Sequence, residues 1–119
     1  MYQDIKSFDD ACKALSIENT LPDFTGVPDK HRKALLSHYQ LVIIAQALNE
    51  RWEPNWDDYD EYKYYPYFNM QGGFSYYYYG SWITNTNASS RLCFRSREVA
   101  KYAGETFLEL FKDYFVIDK

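Results

Sequence analysis

The chain has 119 residues, of which 46% are hydrophobic, 25% charged and 20% aromatic, and its formal net charge is −4. This length suits one domain, predicted to span residues 1–119, and the aromatic content excludes intrinsic disorder. Residues 1–60 contain 6 Lys and Arg and 11 Asp and Glu, and residues 61–119 contain 7 Lys and Arg and 6 Asp and Glu. Neither half has the concentrated cationic face that duplex-DNA binding needs, so the charge excludes that class of function.

A short helix and a loop open the predicted fold. Ser7 is a good N-cap, and the apolar residues that follow it recur at a spacing of three and four. These residues are Phe8, Ala11, Cys12 and Leu15. The stretch 17–27, which contains Pro22 and Gly26, predicts a connecting loop.

The second helix is predicted over residues 28–51. Pro28 suits the first turn of a helix, and no helix breaker follows until Pro54. Residues 41–45 are apolar on nearly every side of this helix, a pattern that is typical of a buried element. We therefore expect this helix to be the central one of the fold.

Residues 62–95 predict three strands, over Tyr62–Phe68, Phe74–Trp82 and Arg91–Arg95. The connections between them are short, so neighbouring strands should run antiparallel. Pro66 cannot donate a ladder hydrogen bond, which places the first strand at a sheet edge or gives it a bulge.

The last helix is predicted over residues 97–115, with Ser96 as its N-cap and its apolar residues in one stripe. Gly104 interrupts this stripe and favours close packing against a neighbour. The predicted element order is α-α-β-β-β-α. We expect an α+β fold in which helices 28–51 and 97–115 pack mainly on one face of an antiparallel sheet of about three strands.

Three stretches carry a resemblance to a known group of proteins: Lys63–Phe68, Ser90–Ser96 and Ala100–Gly104. Together they resemble small proteins encoded by phages and prophages of gut bacteria. The likeness extends over nearly the whole chain, including Leu41–Asn49. It implies a genomic setting but no fold, and it supplies no catalytic or binding residues, because no chemistry is assigned to this group.

Tyrosines are concentrated in the predicted sheet, with nine of them between Tyr59 and Tyr79. Side chains alternate along a strand, so Tyr76 and Tyr78 should share one face while Tyr77 and Tyr79 share the other. Helices on one side of a small sheet cannot bury both sets. We therefore expect one aromatic row to remain accessible to a partner.

Two functions fit such a surface. The first is that of a non-enzymatic accessory protein that binds a protein partner, or a second copy of itself, through the aromatic face. The alternative is binding of a nucleotide or single-stranded nucleic acid by the tyrosines with Arg91 and Arg95, near Arg97 and Lys101. A third interpretation stays open, in which the tyrosines fill a two-sided sheet and their hydroxyls reach water. The candidate partner-binding residues are Trp52 and Trp56 of the loop after the second helix, Tyr65, Tyr67, Tyr77, Tyr79, Arg91 and Arg95.

Catalytic, cofactor and metal motifs are not found in the sequence. The acidic run 57–61 lacks the glycine and the glutamate spacing of a calcium loop, which favours a solvated loop. His31 and His38 are about 10 Å apart along a helix, too far to share one metal ion. Arginines near Cys93 favour a reactive thiol, but no base accompanies it, so a small apolar filler in a central strand is expected. We expect neither an enzyme nor a bound cofactor.

Signals for secretion and membrane insertion are also not found. The first ten residues are polar and acidic, unlike a leader peptide, and the longest apolar stretch, Leu41–Ala45, is too short to span a bilayer. Cys12 and Cys93 have no metal-binding or redox spacing, and two separate thiols fit a reducing compartment. The expected location is the cytoplasm.

Overall fold

The computed structural model describes residues 1–87 and 89–117 of the chain. Its helices are α1 (Phe8–Leu15), α2 (Asp29–Leu48), α3 (Arg97–Thr106) and α4 (Leu108–Phe115), and its strands are β1 (Lys63–Asn69) and β2 (Ser75–Trp82). Short 3-10 turns lie at Tyr2–Asp4 and Ser90–Leu92. The fold is α+β, as predicted, with one antiparallel two-stranded sheet among the described residues.

The first two helices lie close to their predicted positions. The hydroxyl of Ser7 accepts a hydrogen bond from the Asp10 N–H at 3.0 Å, which confirms the N-cap of α1. Helix α2 ends at Leu48, three residues before its predicted end. Glu50 and Arg51 adopt positive φ values of 51° and 69°, which turn the chain away from the helix axis. Their N–H groups donate to the last carbonyls of α2, as in a Schellman motif.

A β-bulge changes the predicted alternation of the tyrosines. Tyr67 pairs with Tyr78 whereas Phe68 pairs with Tyr76, so Tyr77 is an extra residue in β2. Tyr77 and Tyr78 are consequently exposed, at 59% and 52%, while Tyr76 and Tyr79 are half-buried. The predicted grouping of Tyr76 with Tyr78, and of Tyr77 with Tyr79, is therefore wrong.

The third predicted strand, Arg91–Arg95, is reduced to a single bridge. The chain turns at Ser90–Leu92, and α3 begins at residue 97, so only a few residues between them are extended. Phe94 and Tyr64 exchange backbone hydrogen bonds of 2.6 and 3.0 Å, and no further pair forms beside them among the residues that the structure describes. Cys93 is therefore not part of a central strand, although it is buried.

The last predicted helix is divided at Phe107, where φ is −107° and ψ is 30°. Helix α3 packs on β1, whereas α4 packs along α2, and one straight helix cannot do both. The break also buries both Phe107 and Phe111. The order of the helices and strands is therefore α-α-β-β-α-α.

The core lies between the helices and one face of the sheet. Tyr64, Phe68 and Tyr79 of the hairpin pack against a buried cluster to which every helix contributes. Gly104 of α3 makes the close contact that the sequence predicts, since a Cβ at this position would lie 2.5 Å from the ring of Tyr76. Among the described residues, none of the helices combines the length and the apolar character that a membrane span requires.

Candidate functional site

Five aromatic rings form a continuous row on the face of the sheet that the helices leave uncovered. We define this aromatic row as Trp56, Trp82, Tyr65, Tyr67 and Tyr77. Adjacent ring centroids in this order are 6.4, 4.2, 6.2 and 5.4 Å apart. Such distances are those of interacting aromatic pairs, so the rings support one another.

Gly80 fixes the middle of the aromatic row. Tyr65 lies opposite Gly80 in the ladder, and a Cβ built on Gly80 would be 2.5 Å from the end of the Tyr65 ring. The ring therefore lies over the glycine and continues to Trp82, against which it stacks with an interplanar angle of 22°. A side chain at residue 80 would displace Tyr65 and separate the two halves of the row.

A buried lysine that is not among the predicted site residues lies against the tryptophan end of the row. Lys63 is completely buried, and its ammonium group donates to the carbonyl oxygens of Glu61 at 2.8 Å and Ile83 at 2.7 Å. It also lies 3.3 Å from Glu61 Oε1 and 5.3 Å from the centroid of the Trp56 ring. The sequence feature that could have indicated this role is the single positive charge at the start of a strand rich in aromatic residues, directly after an acidic loop.

Carboxylates of this acidic loop are used within the loop itself. Glu61 Oε1 accepts from the Asn55 N–H at 2.7 Å, and Asp58 Oδ1 accepts from the Asp60 N–H at 2.9 Å. In residues 1–87 and 89–117, no three His, Cys, Asp or Glu side chains come together as a metal site would require. Trp56, which belongs to this loop, lies beside Trp82.

The open end of the aromatic row is exposed to solvent. Tyr77 is 59% and Tyr67 39% exposed, while the other three rings are half-buried. The row contains no charged side chain, and its members are rigid rings already in contact with one another. The surface combines apolar ring area with tyrosine hydroxyls, a composition that protein interfaces favour.

The remaining predicted site residues lie away from the exposed end of this surface. Trp52 and Arg91 share with Trp56 a cavity of about 380 Å³ near the C-terminal end of α2. Arg95 donates to the Leu48 carbonyl at 3.5 Å and to Glu50 Oε1 at 3.4 Å, so its guanidinium is held at the end of α2. The two arginines are therefore not on the exposed half of the row.

Tyr79 and Tyr76 face α3 rather than the outer surface. Tyr79 packs against Tyr64 with ring centroids 6.0 Å apart. The hydroxyl of Tyr76 is buried without a hydrogen-bond partner in the described structure, and burial, with a smaller contribution from Glu105, raises its pKa to about 12. A cleft of about 510 Å³ separates Tyr76–Tyr79 from the exposed side of α3.

The two thiols are enclosed by protein. Burial raises the pKa of Cys93 to about 11, and its Sγ donates to the Ser90 carbonyl at 3.3 Å. Burial also raises the pKa of Cys12. A thiol with a raised pKa is a poor nucleophile at neutral pH. Both cysteines therefore fill space in the core, the role that the sequence favours for Cys93.

Comparison of the chain with models of protein families gives no match, and neither do comparisons with curated proteins and with solved structures.

Proposed function

We propose that this chain is a non-enzymatic accessory protein that binds a protein partner through the aromatic row. The observation that carries this proposal is the continuity of the row, in which five rings contact one another across the outer face of the hairpin. Tyrosine and tryptophan provide a large contact area at a small cost in side-chain entropy. They are also the residues most enriched among those that dominate binding energy.

The row is organised before any partner arrives. Tyr65 is held over Gly80, and Lys63 fixes the loop that positions Trp56. A surface that is already rigid loses little conformational freedom on binding. This supports a role in recognition, since the rings remain accessible although they contribute contacts to the hairpin.

Charge supports a protein partner over nucleic acid for the aromatic row. Single-stranded nucleic acid is bound by stacking rings together with cations that follow the phosphates. Tyr67 and Tyr77 are the most exposed rings of the row, yet Arg95 is engaged with Glu50 at the end of α2. Arg97 and Lys101, the cations nearest Tyr77, share their cleft with two glutamates, so the positive charge beside the exposed rings is balanced by negative charge.

A second candidate is nucleotide binding, and one observation favours it. Trp52, Trp56 and Arg91 line the cavity of about 380 Å³, where a base could stack and a phosphate could meet the guanidinium. This candidate places the nucleotide site in that cavity rather than on the exposed tyrosines. The resemblance of the sequence to phage and prophage proteins suggests the setting that we propose for either function, the cytoplasm of a phage-infected or lysogenic bacterium.

Matched tyrosine substitutions test the proposed function. Tyr67→Ser and Tyr77→Ser truncate the exposed end of the row, and Tyr59→Ser removes a tyrosine that is 77% exposed outside it. Proteins captured from a bacterial lysate by the unmodified chain should be lost with the first two variants and retained with the third. The affinity for a partner identified in this way should fall about 30-fold for each row variant, the effect of losing about 2 kcal/mol at an interface.

Nuclease treatment and salt separate the two candidates. A protein complex on the row should survive nuclease and change little in affinity between low and moderate salt, whereas phosphate binding weakens steeply. Capture that disappears with nuclease, or that Arg91→Ala abolishes while Tyr77→Ser leaves it intact, would contradict the protein-binding proposal.

A further inference from the structure

The outer edge of β2 is open. Strand β2 pairs with β1 along one edge, and within the described residues no segment pairs with the other edge. Proteins commonly protect such edges with charged residues or proline. Ser75–Trp82 contains neither, so the only protection on this strand is the bulge at Tyr77.

The ladder determines which backbone groups point outward from this edge. Tyr64 uses both its N–H and its C=O on Phe94, so these groups point away from β2. Directly opposed residues of an antiparallel pair point their peptide groups either toward each other or away from each other. Ser81, which lies opposite Tyr64, therefore turns its N–H and C=O outward. Tyr79, which lies two residues earlier and opposite Pro66, also turns its N–H and C=O outward.

We propose that β2 pairs with β2 of a second copy of this chain, antiparallel and about a two-fold axis at Gly80. The bulge ends the regular part of the strand at Tyr78, and Gly80 is the centre of the segment Tyr78–Trp82. Tyr79 of each copy then exchanges backbone hydrogen bonds with Ser81 of the other. At the axis the two backbones approach most closely, and neither has a side chain there.

The charges beside this edge favour a second copy over a charged peptide. The cleft between β2 and α3 is lined on the α3 side by Arg97, Glu98, Lys101 and Glu105. A two-fold interface brings the same patch against itself, so a patch of one sign would repel its copy. This patch has two charges of each sign and can complement itself, whereas an acidic or basic peptide would meet as many like charges as opposite ones.

The paired arrangement leaves the aromatic row uncovered. The row lies on the face of the hairpin, whereas the proposed contact is made by the strand edge, so dimerisation places two rows side by side in one four-stranded sheet. The inference is therefore independent of the proposed function. A variant of Tyr67, a row residue on β1, should affect partner capture but not dimerisation, whereas a variant of Ser81 should weaken dimerisation first.

Sedimentation across a concentration series tests the dimer. The mass of the unmodified chain should rise from 14.2 kDa toward twice that value. Ser81→Pro removes the outward N–H, and proline is tolerated where an edge strand faces solvent. Its dissociation constant should rise about 30-fold, because one backbone hydrogen bond is lost in each copy. Ser81→Thr keeps the N–H and should dimerise as the unmodified chain does.

A second pair of variants leaves the backbone of the ladder intact. Lys101→Glu makes the α3 side of the cleft predominantly acidic, and Lys101→Gln only removes the positive charge. The first should weaken the dimer more than the second, and the difference should shrink as salt screens the repulsion. Both substitutions are on an exposed helix position, so both variants should fold.

Amide hydrogen exchange provides a readout that needs no variant. Exchange at Tyr79 and Ser81 should slow as the concentration of the unmodified chain rises, whatever the stability of Ser81→Pro. A chain that remains monomeric at its highest soluble concentration would overturn the proposal. The proposal would also be contradicted if Ser81→Pro and Lys101→Glu both folded and left the dimer unchanged, or if Tyr67→Ser disrupted the dimer while these two variants did not. Protection of these amides only on addition of another protein would assign the edge to that protein instead.

Discussion

Replacement of Asn49 by alanine should destabilise the fold through two specific hydrogen bonds. The buried side chain of Asn49 donates from Nδ2 to the Cys93 carbonyl and accepts at Oδ1 from the Arg95 N–H, both at 3.0 Å. Phe94, between them, bonds to Tyr64 on the opposite side. The amide of Asn49 thus occupies the place that the peptide group of a further strand would take.

The expected loss is about 3 kcal/mol of unfolding free energy. Each buried group that loses its partner costs about 1–3 kcal/mol, and the variant leaves one carbonyl and one N–H unpaired. Asn49 itself has φ −79° and ψ −1°, a conformation that alanine adopts without strain, so the backbone adds nothing to the loss. A loss of this size is a substantial part of the stability of about 5–15 kcal/mol that is usual for a domain.

Urea unfolding of Asn49→Ala and of a matched control measures this loss. Asn55→Ala removes an exposed asparagine whose Oδ1 accepts one hydrogen bond from the Asp57 N–H at 3.0 Å, and it should cost less than about 1 kcal/mol. Amide exchange at Arg95 should also become faster in Asn49→Ala. Equal losses in the two variants would contradict this prediction, since the burial and double pairing of Asn49 would then have no effect on stability.

The aspartate variant at the same position adds a test by pH. Asn49→Asp keeps the acceptor for Arg95 but sets a carboxylate oxygen against the Cys93 carbonyl, which repels it. Protonation restores a donor, so the folded state binds this proton more tightly than the unfolded chain, in which the pKa is about 3.9. The stability of the variant should accordingly approach that of the unmodified chain below about pH 4 and fall behind it as the pH rises.

Three further outcomes follow from buried groups. In thermal unfolding, Gly104→Ala should destabilise the fold by about 1–2 kcal/mol, because the strain of overpacking exceeds the gain in helix propensity. Gly26→Ala should be nearly neutral in the same measurement, because no atom lies within 4 Å of its new Cβ. Burial lowers the pKa of His38 in the folded chain below its ordinary 6.5. As the pH drops, the imidazole is therefore protonated in the unfolded chain before it is protonated in the folded one. The free energy of unfolding should consequently fall below about pH 6.5. Urea unfolding at several pH values should show a smaller fall for His38→Gln. Burial raises the pKa of Cys93 to about 11, so its thiol should resist alkylation at neutral pH until the chain unfolds, as peptide mass analysis would show.

Local signals in the sequence were sufficient for the elements that depend on them. The Ser7 cap, the apolar block 41–45 and the hairpin of two tyrosine-rich strands are encoded by neighbours in the chain, and each lies where the sequence predicts it. The division of the last helix at Phe107, by contrast, is not encoded by neighbouring residues. It depends on α3 packing on the sheet while α4 packs on α2, and residues from distant parts of the chain decide that geometry.

The predicted third strand failed for a related reason. The segment 91–95 has the composition of a strand, and Phe94 does form one bridge to Tyr64. Its other side is bonded by the side chain of Asn49, 46 residues before Arg95 in the sequence. A side-chain amide in place of a strand gives no periodic signal, so the pattern could not distinguish the two.

The sequence predicted a tyrosine-rich surface on the hairpin but not which tyrosines of β2 face outward. The two exposed tyrosines of the aromatic row, Tyr67 and Tyr77, were both among the predicted residues, whereas Tyr79 faces inward and Tyr78 is exposed in its place. One extra residue in β2 accounts for this difference, because every position beyond a bulge changes face. Lys63 was missed because its role depends on three carbonyl oxygens, two in the acidic loop and one directly after β2, which come together only in the folded chain.

The bulge in β2 links the aromatic row to the strand edge. Because Tyr77 is an extra residue, Tyr76 and Tyr79 can both face α3 while Tyr77 continues the row beside Tyr67. The same extra residue interrupts the outer edge of the strand and leaves Tyr78–Trp82 as its regular part. A register without the bulge would turn Tyr77 toward the helices and shorten the row, and it would move the centre of the free edge away from Gly80. The exposed aromatic surface and the position of the proposed two-fold contact therefore have one structural cause.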